Sequence, residues 1–175
     1  MRRGRIIHPA LAGALATLGH SDIVLVVDAG FPIPRDANRI DLGFVVGQPT
    51  VPQILRVLRD ELYIEGVAFA PEVRTHNPRL YEELQEIYTG AGAPFSPVTH
   101  EQLCDDVAHR AKVIIRSGDT NPWANVALTA STDPVAFFSD EQVADGLVIL
   151  PAYLCLLYTS PSPRDRTRSR MPSSA

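Results

Sequence analysis

Residues Ile23–Val27 read IVLVV and run straight into Asp28-Ala29-Gly30. Five successive branched apolar side chains leave a strand with no polar face, so it must be covered on both sides. The rest of the chain supplies candidate covers. Leu11, Leu15 and Leu18 have helical spacing, with Pro9 suited to a first turn and Gly19 to a C-terminal cap. Thr50 and Pro52 open a second helix, with Val51, Ile54, Leu55, Leu58 and Leu62 along one face. Asn77-Pro78 starts a third, carrying Leu80, Leu84 and Ile87. Thr99 with Gln102 forms a capping box for a fourth, running to about His109. Between them, Gly66–Ala70, Lys112–Ile115 and Asn125–Ala130 read as further core strands, and Gly90–Pro97 as loop. Ser139 with Gln142 reads as the cap of one more short helix. Strands alternating with helices predict an α/β fold: three layers, a mostly parallel sheet with helices on both faces, in one domain over residues 1–154.

Charge narrows the function. Sixteen basic residues stand against twenty acidic ones, a net −4, which lacks the basic footprint of a general nucleic-acid binder. No run approaches 18 apolar residues, so no membrane-spanning helix is expected. Cys104 and Cys155 make neither a disulfide framework nor a zinc site, which suits a reducing, cytoplasmic setting. The start, MRRGRIIHPALAGALATLG, imitates a secretion signal, but His8 and Pro9 interrupt its apolar run and the helical spacing is the better reading. At the other end, CLLYTSPSPRDRTRSRMPSSA holds four arginines, one aspartate and few large apolar groups. CLLYTSPSPRD resembles the in-frame translation of a transposon-based sequencing adapter, and SRMPSSA the flow-cell primer region beyond it. Residues 155–175 are therefore expected to be disordered read-through, foreign to the fold. Without them the net charge is −7.

Ligands of open α/β sheets gather beyond the carboxyl ends of the strands. Asp28 is delivered there by the first strand, Arg116-Ser117-Gly118-Asp119 by a later one, and Trp123 and Asn125 by the loop that follows. His20 lies in the turn before the first strand. His100 opens its helix, where the dipole favours a neutral ring. Histidines for proton transfer, a carboxylate and an amide for hydroxyls, and an aromatic wall together suit a sugar. Each residue also has a plainer reading. His20 after Gly19 caps a helix end equally well, and Trp123 serves as core or interface. Asp28 ends a strand, although a carboxylate directly after five apolar residues is costly unless paired. His76 and His109 read as surface residues and His8 as a loop group. Cys104 beside Asp105 and Asp106 is a poor nucleophile. No GxGxxG, Walker, GxSxG or HExxH pattern occurs, so nucleotide, serine-hydrolase and zincin chemistry lack support.

Taken in order, Leu18-Gly-His-Ser-Asp22, Val27-Asp-Ala-Gly-Phe-Pro-Ile-Pro34, Arg39-Ile-Asp-Leu42, His76-Asn-Pro78, Thr99-His-Glu-Gln102, Ile115-Arg-Ser-Gly118 and Pro122-Trp-Ala-Asn125 resemble the D-ribose pyranase family over about residues 1–130. The sister family, fucose mutarotase, shares the Gly-His…Asp-Ala frame but not the Gly-Phe-Pro-Ile-Pro and His-Asn-Pro forms. The resemblance implies interconversion of β-D-ribopyranose and β-D-ribofuranose, without cofactor or metal, the furanose passing to ribokinase after uptake by a ribose transporter. It also implies that His20 is the proton donor, that Asp28, His100 and Trp123–Asn125 contact the sugar, and that the protein is a cyclic homo-oligomer, a decamer, with active sites near subunit contacts. Opening and reclosing a hemiacetal takes a proton from one oxygen and gives one to another, which a histidine can do in both directions. Two features depart from the pattern. Trp123 stands where the family has tyrosine, keeping a stacking face and a donor but losing the phenol's acceptor. The chain also continues through residues 131–154, past the usual end. The alternatives are a mutarotase of another sugar such as L-fucose, or a non-catalytic sugar-binding accessory of ribose transport.

Overall fold

The computed structural model describes residues 6–133. The readings at Ser139 and Gln142, and of the 155–175 tail, lie outside the described residues. Six strands form one sheet: β1 Ile23–Val27, β2 Arg39–Asp41, β3 Ile64–Phe69, β4 Phe95–Pro97, β5 Val113–Arg116 and β6 Val126–Ala130. Their order across the sheet is β2-β5-β1-β6-β3-β4. β1 pairs parallel with β5, β5 with β2, and β3 with β4. β6 alone runs against its neighbours, β1 and β3. The sheet is thus mostly parallel, with one reversed strand near its centre. The reversal follows from chain length, because a parallel return from β5 to β6 needs a crossover of about a dozen residues or more and only residues 117–125 link them.

Helices cover both faces, as the two-sided burial of β1 demands. Val24 and Val26 face a core with Leu11, Ile54, Leu55, Leu58, Leu80 and Leu84. These come from α1 Pro9–Leu15, α2 Val51–Glu61 and α4 Pro78–Tyr88, with the one-turn α3 Val73–His76 leading into α4. Leu25 and Val27 face the opposite core, with Leu103, Val107 and Ala108. Those residues belong to a composite helix: α5 His100–Gln102, a π-helical stretch Leu103–Val107, then α6 Ala108–Arg110. All four of Val24–Val27 are 0% exposed. No helix among the described residues is long and apolar enough to cross a membrane.

The expected N-terminal caps of α2, α4 and α5 are present. Thr50 and Gln53 close a capping box at α2, Thr99 and Gln102 another at α5, and Asn77 accepts from the Leu80 N–H at α4. Some details differ from the sequence reading. His8 is an N-cap rather than a loop group, its Nδ1 accepting from the Leu11 N–H. Helix α1 stops at Leu15, and the Gly19 N–H goes to Asp22 Oδ2 at 2.6 Å instead of closing the helix. Residues 95–97, read as loop, form edge strand β4.

Leu55 is fully buried on the α2 face that clamps β1. Leu55→Ala is expected to lower stability by about 2–5 kcal/mol in denaturant unfolding. A loss below about 1 kcal/mol would mean the helix is not held by this stripe.

Candidate active site

Reversal of β6 brings its first residues against the carboxyl end of β1. Val26 is in register with Val126, which brings Asn125 beside the end of β1, within side-chain reach of Asp28. Their contact is reciprocal. The Asp28 N–H donates to Asn125 Oδ1 at 3.0 Å, and Asn125 Nδ2 donates to Asp28 Oδ2 at 2.9 Å. The other carboxylate oxygen accepts from the Gly30 N–H at 2.8 Å. Asp28 is therefore paired, which removes the cost that its position after five apolar residues would otherwise carry. Asn125 is buried and its geometry is set by that pair.

The aromatic wall is assembled from three elements. Trp123 has φ 64°, a left-handed conformation uncommon for a bulky side chain and one that collects at binding sites. Asn77, at the junction of α3 and α4, secures this turn by donating from Nδ2 to the Pro122 carbonyl at 3.0 Å. The Trp123 ring lies 5.4 Å from that of His100, edge to face, and 6.3 Å from that of His76. The Phe31 ring lies 6.1 Å from that of His100, also edge to face. His76, read as a surface residue, is exposed but still turned toward Trp123.

Polar capacity remains at this edge of the sheet. His100 Nδ1 is buried with no hydrogen-bond partner, as is one carboxylate oxygen of Glu72, just beyond the end of β3. Buried polar atoms are rarely left so, and an orphan at a candidate site points to a ligand. Nε2 of His100 is 3.6 Å from Cys104 Sγ. Burial pushes the Cys104 thiol up, and the charges of Asp105 and Asp28 push it the same way, so it stays protonated and a weak nucleophile. Adjacency in sequence points to Asp105 and Asp106. Burial is the larger cause, and the second charge belongs to Asp28.

The stretch after β5 behaves differently from expectation. Ser117 and Asp119 are buried and spent on structure. Asp119 Oδ2 accepts from the Val51 N–H at the start of α2, and Oδ1 accepts from the Asn121 N–H and from Asn121 Nδ2. A Cβ on Gly118 would collide with the carbonyls of Val45 and Gln48, so this turn packs backbone to backbone. Arg116 faces Asp41 at 2.8 Å. Sequence places these groups at the carboxyl edge but does not show that Ser117 and Asp119 are already hydrogen-bonded to the backbone around them.

His20 is the residue the fold does not bring to this cluster. It precedes β1, whereas Asp28 follows it, and at roughly 3.3 Å per residue the strand alone separates them by more than about 13 Å. Asp28 therefore cannot orient His20 within one chain. The partner of His20 is instead Glu65, a residue with no sequence signal of its own: its Oε2 is 2.8 Å from His20 Nε2. The turn that presents His20 is held by Asp22, which accepts from the Gly19 N–H and from Lys112 Nζ at 2.7 Å.

Residues 1–132 match the RbsD / FucU transport protein family. The chain belongs to this family. Among family relatives, it is 43% identical to D-ribose pyranase 1 of Streptomyces griseus, over 82% of this chain and 93% of that one. It is 36% identical to D-ribose pyranase of Escherichia coli O81, over 74% and 97%. Its fold matches Bacillus subtilis RbsD complexed with D-ribose, with TM-score 0.72 and 31% identity over 76% of this chain and 99% of that one. A fucose mutarotase of Streptococcus pneumoniae in complex with L-fucose shares the fold at TM-score 0.63 and 21% identity, over 74% and 96%.

Two outcomes are expected at this site. Asn125→Ala strands the Asp28 N–H and one of its carboxylate oxygens, lowering stability by about 1–3 kcal/mol in thermal or denaturant unfolding. Lys112 first, and then the Gly19 N–H, hold the Asp22 carboxyl below its ordinary value of 3.8. Because the folded-state value is the lower one, the contribution of this turn is full above pH 3.8 and fades as pH falls through the depressed midpoint. Carboxyl NMR titration should place that midpoint below 3.8, with Lys112→Ala moving it back up.

Proposed function

We propose that this protein is a D-ribose pyranase, interconverting β-D-ribopyranose and β-D-ribofuranose. The observation that carries the proposal is the match along nearly the whole length of the Streptomyces D-ribose pyranase. The carboxyl-edge cluster agrees with it. Asp28 and Asn125 offer acceptors and donors for hydroxyls, His100 has an unspent buried nitrogen, and Trp123 supplies an apolar face.

Ring exchange needs no net gain or loss of atoms. As the bond from C1 to the ring oxygen breaks, O1 gives up a proton and the departing oxygen receives one. Closure runs the same transfers in reverse, with the 4-hydroxyl oxygen now bonding to C1. In this reading His20 is the proton donor, and Asp28, His100, Trp123 and Asn125 hold the sugar. A histidine suits a reaction that must run both ways, because it returns to its starting protonation state after each cycle.

One chain does not assemble this site, since β1 stands between His20 and Asp28. The arrangement requires a homo-oligomer in which His20 of one subunit meets the Asp28–Asn125 edge of its neighbour. A cyclic decamer is the form the family resemblance implies. In the cell the product would serve ribokinase, downstream of a ribose transporter, in the cytoplasm.

Saturation-transfer NMR between the β-pyranose and β-furanose signals of D-ribose tests the reading. Wild type should accelerate exchange, and His20→Ala should lose about 10²–10⁴-fold of that acceleration. Mixing His20→Ala with Asp28→Ala subunits should recover part of the rate if the site is shared. Exchange at the uncatalysed rate by wild type would sink the enzyme reading; bound ribose without exchange would favour a binding accessory, and faster exchange of L-fucose a mutarotase.

A further inference from the structure

We propose that Glu65 is a positioning residue which fixes the tautomer of His20 and makes Nδ1 the nitrogen that exchanges protons with the substrate. The inference rests on the reading of His20 as proton donor and adds to it the atom and the residue that selects it.

Glu65 sits at an irregularity in β3. Ile64 pairs with Ala130 and Gly66 with Thr129, so Glu65 has no partner of its own on β6. An extra residue of this kind is a β-bulge, a device that re-aims one side chain out of the regular alternation. Here it turns the carboxylate to the start of β1, where Nε2 of His20 lies 2.8 Å from Oε2.

The carboxylate is itself held in place. Ser21 Oγ donates to Oε1 and Ser131 Oγ to Oε2, each at 3.4 Å. Ser21 has φ 67°, and its N–H donates to the Ala130 carbonyl at 2.9 Å, so the turn carrying His20 is pinned to the strand opposite the bulge. The Glu65 side chain is 15% exposed, against 50% for His20. The acid is thus sheltered and the ring presented.

The chemical consequence follows from hydrogen-bond roles. A carboxylate only accepts, so the Nε2 facing it must carry a hydrogen. In the neutral ring, that hydrogen leaves Nδ1 as the bare acceptor; in the charged ring, Nδ1–H is the donor left for the sugar. A carboxylate that orients an imidazole in this way sets both the tautomer and the ring angle. Nδ1 then takes a proton from one sugar oxygen and returns one to another while Nε2–H stays on Glu65. No proton needs to pass to Glu65.

The test combines a spectroscopic and a kinetic readout on the full-length protein. Long-range proton–nitrogen correlation on 15N-histidine-labelled wild type, with the ring neutral, should show His20 as the Nε2–H tautomer. Glu65→Gln, isosteric and able to donate as well as accept, should give mixed tautomers, as should Glu65→Ala. In exchange NMR each variant should lose at least about tenfold in kcat with KM changed little, as expected when a wrong tautomer disables a correctly placed base. A merely structural role would lower the melting temperature but leave the tautomer alone. The inference is overturned if wild-type His20 carries its hydrogen on Nδ1, or if Glu65→Gln keeps full kcat while His20→Ala is inactive. If His20→Ala itself keeps catalysed exchange, the proton-donor reading fails instead.

Discussion

Strand β6 running backwards between β1 and β3 is the constraint on which the rest of the structure depends. In an all-parallel sheet the start of β6 would lie at the amino edge, far from the end of β1. Reversed, it sets Asn125 within side-chain reach of Asp28, and their two mutual hydrogen bonds allow a carboxylate to end a strand that is otherwise wholly apolar. The same reversal puts the end of β6, Ala130, beside the turn before β1, where it accepts from Ser21. One strand therefore braces both edges of the sheet, and each edge carries a different half of the proposed chemistry.

Those halves have different characters. The carboxyl edge is a cluster of paired polar groups and crossed rings, with Trp123 held in a left-handed turn by Asn77 and Pro122. It is suited to gripping a hydroxylated ring. The amino edge is sparser: one exposed histidine on a pinned turn, backed by one sheltered acid. It is suited to moving a proton. Because β1 separates them within a chain, assembly of the oligomer and assembly of the active centre become the same event in the proposed function.

How legible this was varied with the kind of signal. The apolar run of β1, the 3-4 stripe of α2 and the boxes at Thr50 and Thr99 are local patterns, and each appears where periodicity and capping chemistry place it. Three-residue strands such as Arg39–Asp41 and Phe95–Pro97 are too short to carry a period, and they form because a neighbouring edge is available to pair with. Among the proposed site residues, Asp28, His100, Trp123 and Asn125 are identifiable because they follow or adjoin clear elements. Glu65 was not. It lies within a strand whose alternation it breaks, and its bulge exists only relative to the register of β6.

Sequence by itself therefore determined the layers and the family. Two-sided burial of IVLVV forces helices onto both faces, and the ordered motifs from Gly19-His20 to Trp123–Asn125 mark the chain's relatives. Tertiary structure alone decided which polar groups remain available. Ser117 and Asp119 are consumed by the backbone around them, while Asp28 is completed by Asn125 and His20 by Glu65. The physical reason is range. Burial patterns and caps act over a turn or a strand, but a hydrogen bond between residues 28 and 125, or 20 and 65, depends on strand order and register, which no local stretch of sequence contains.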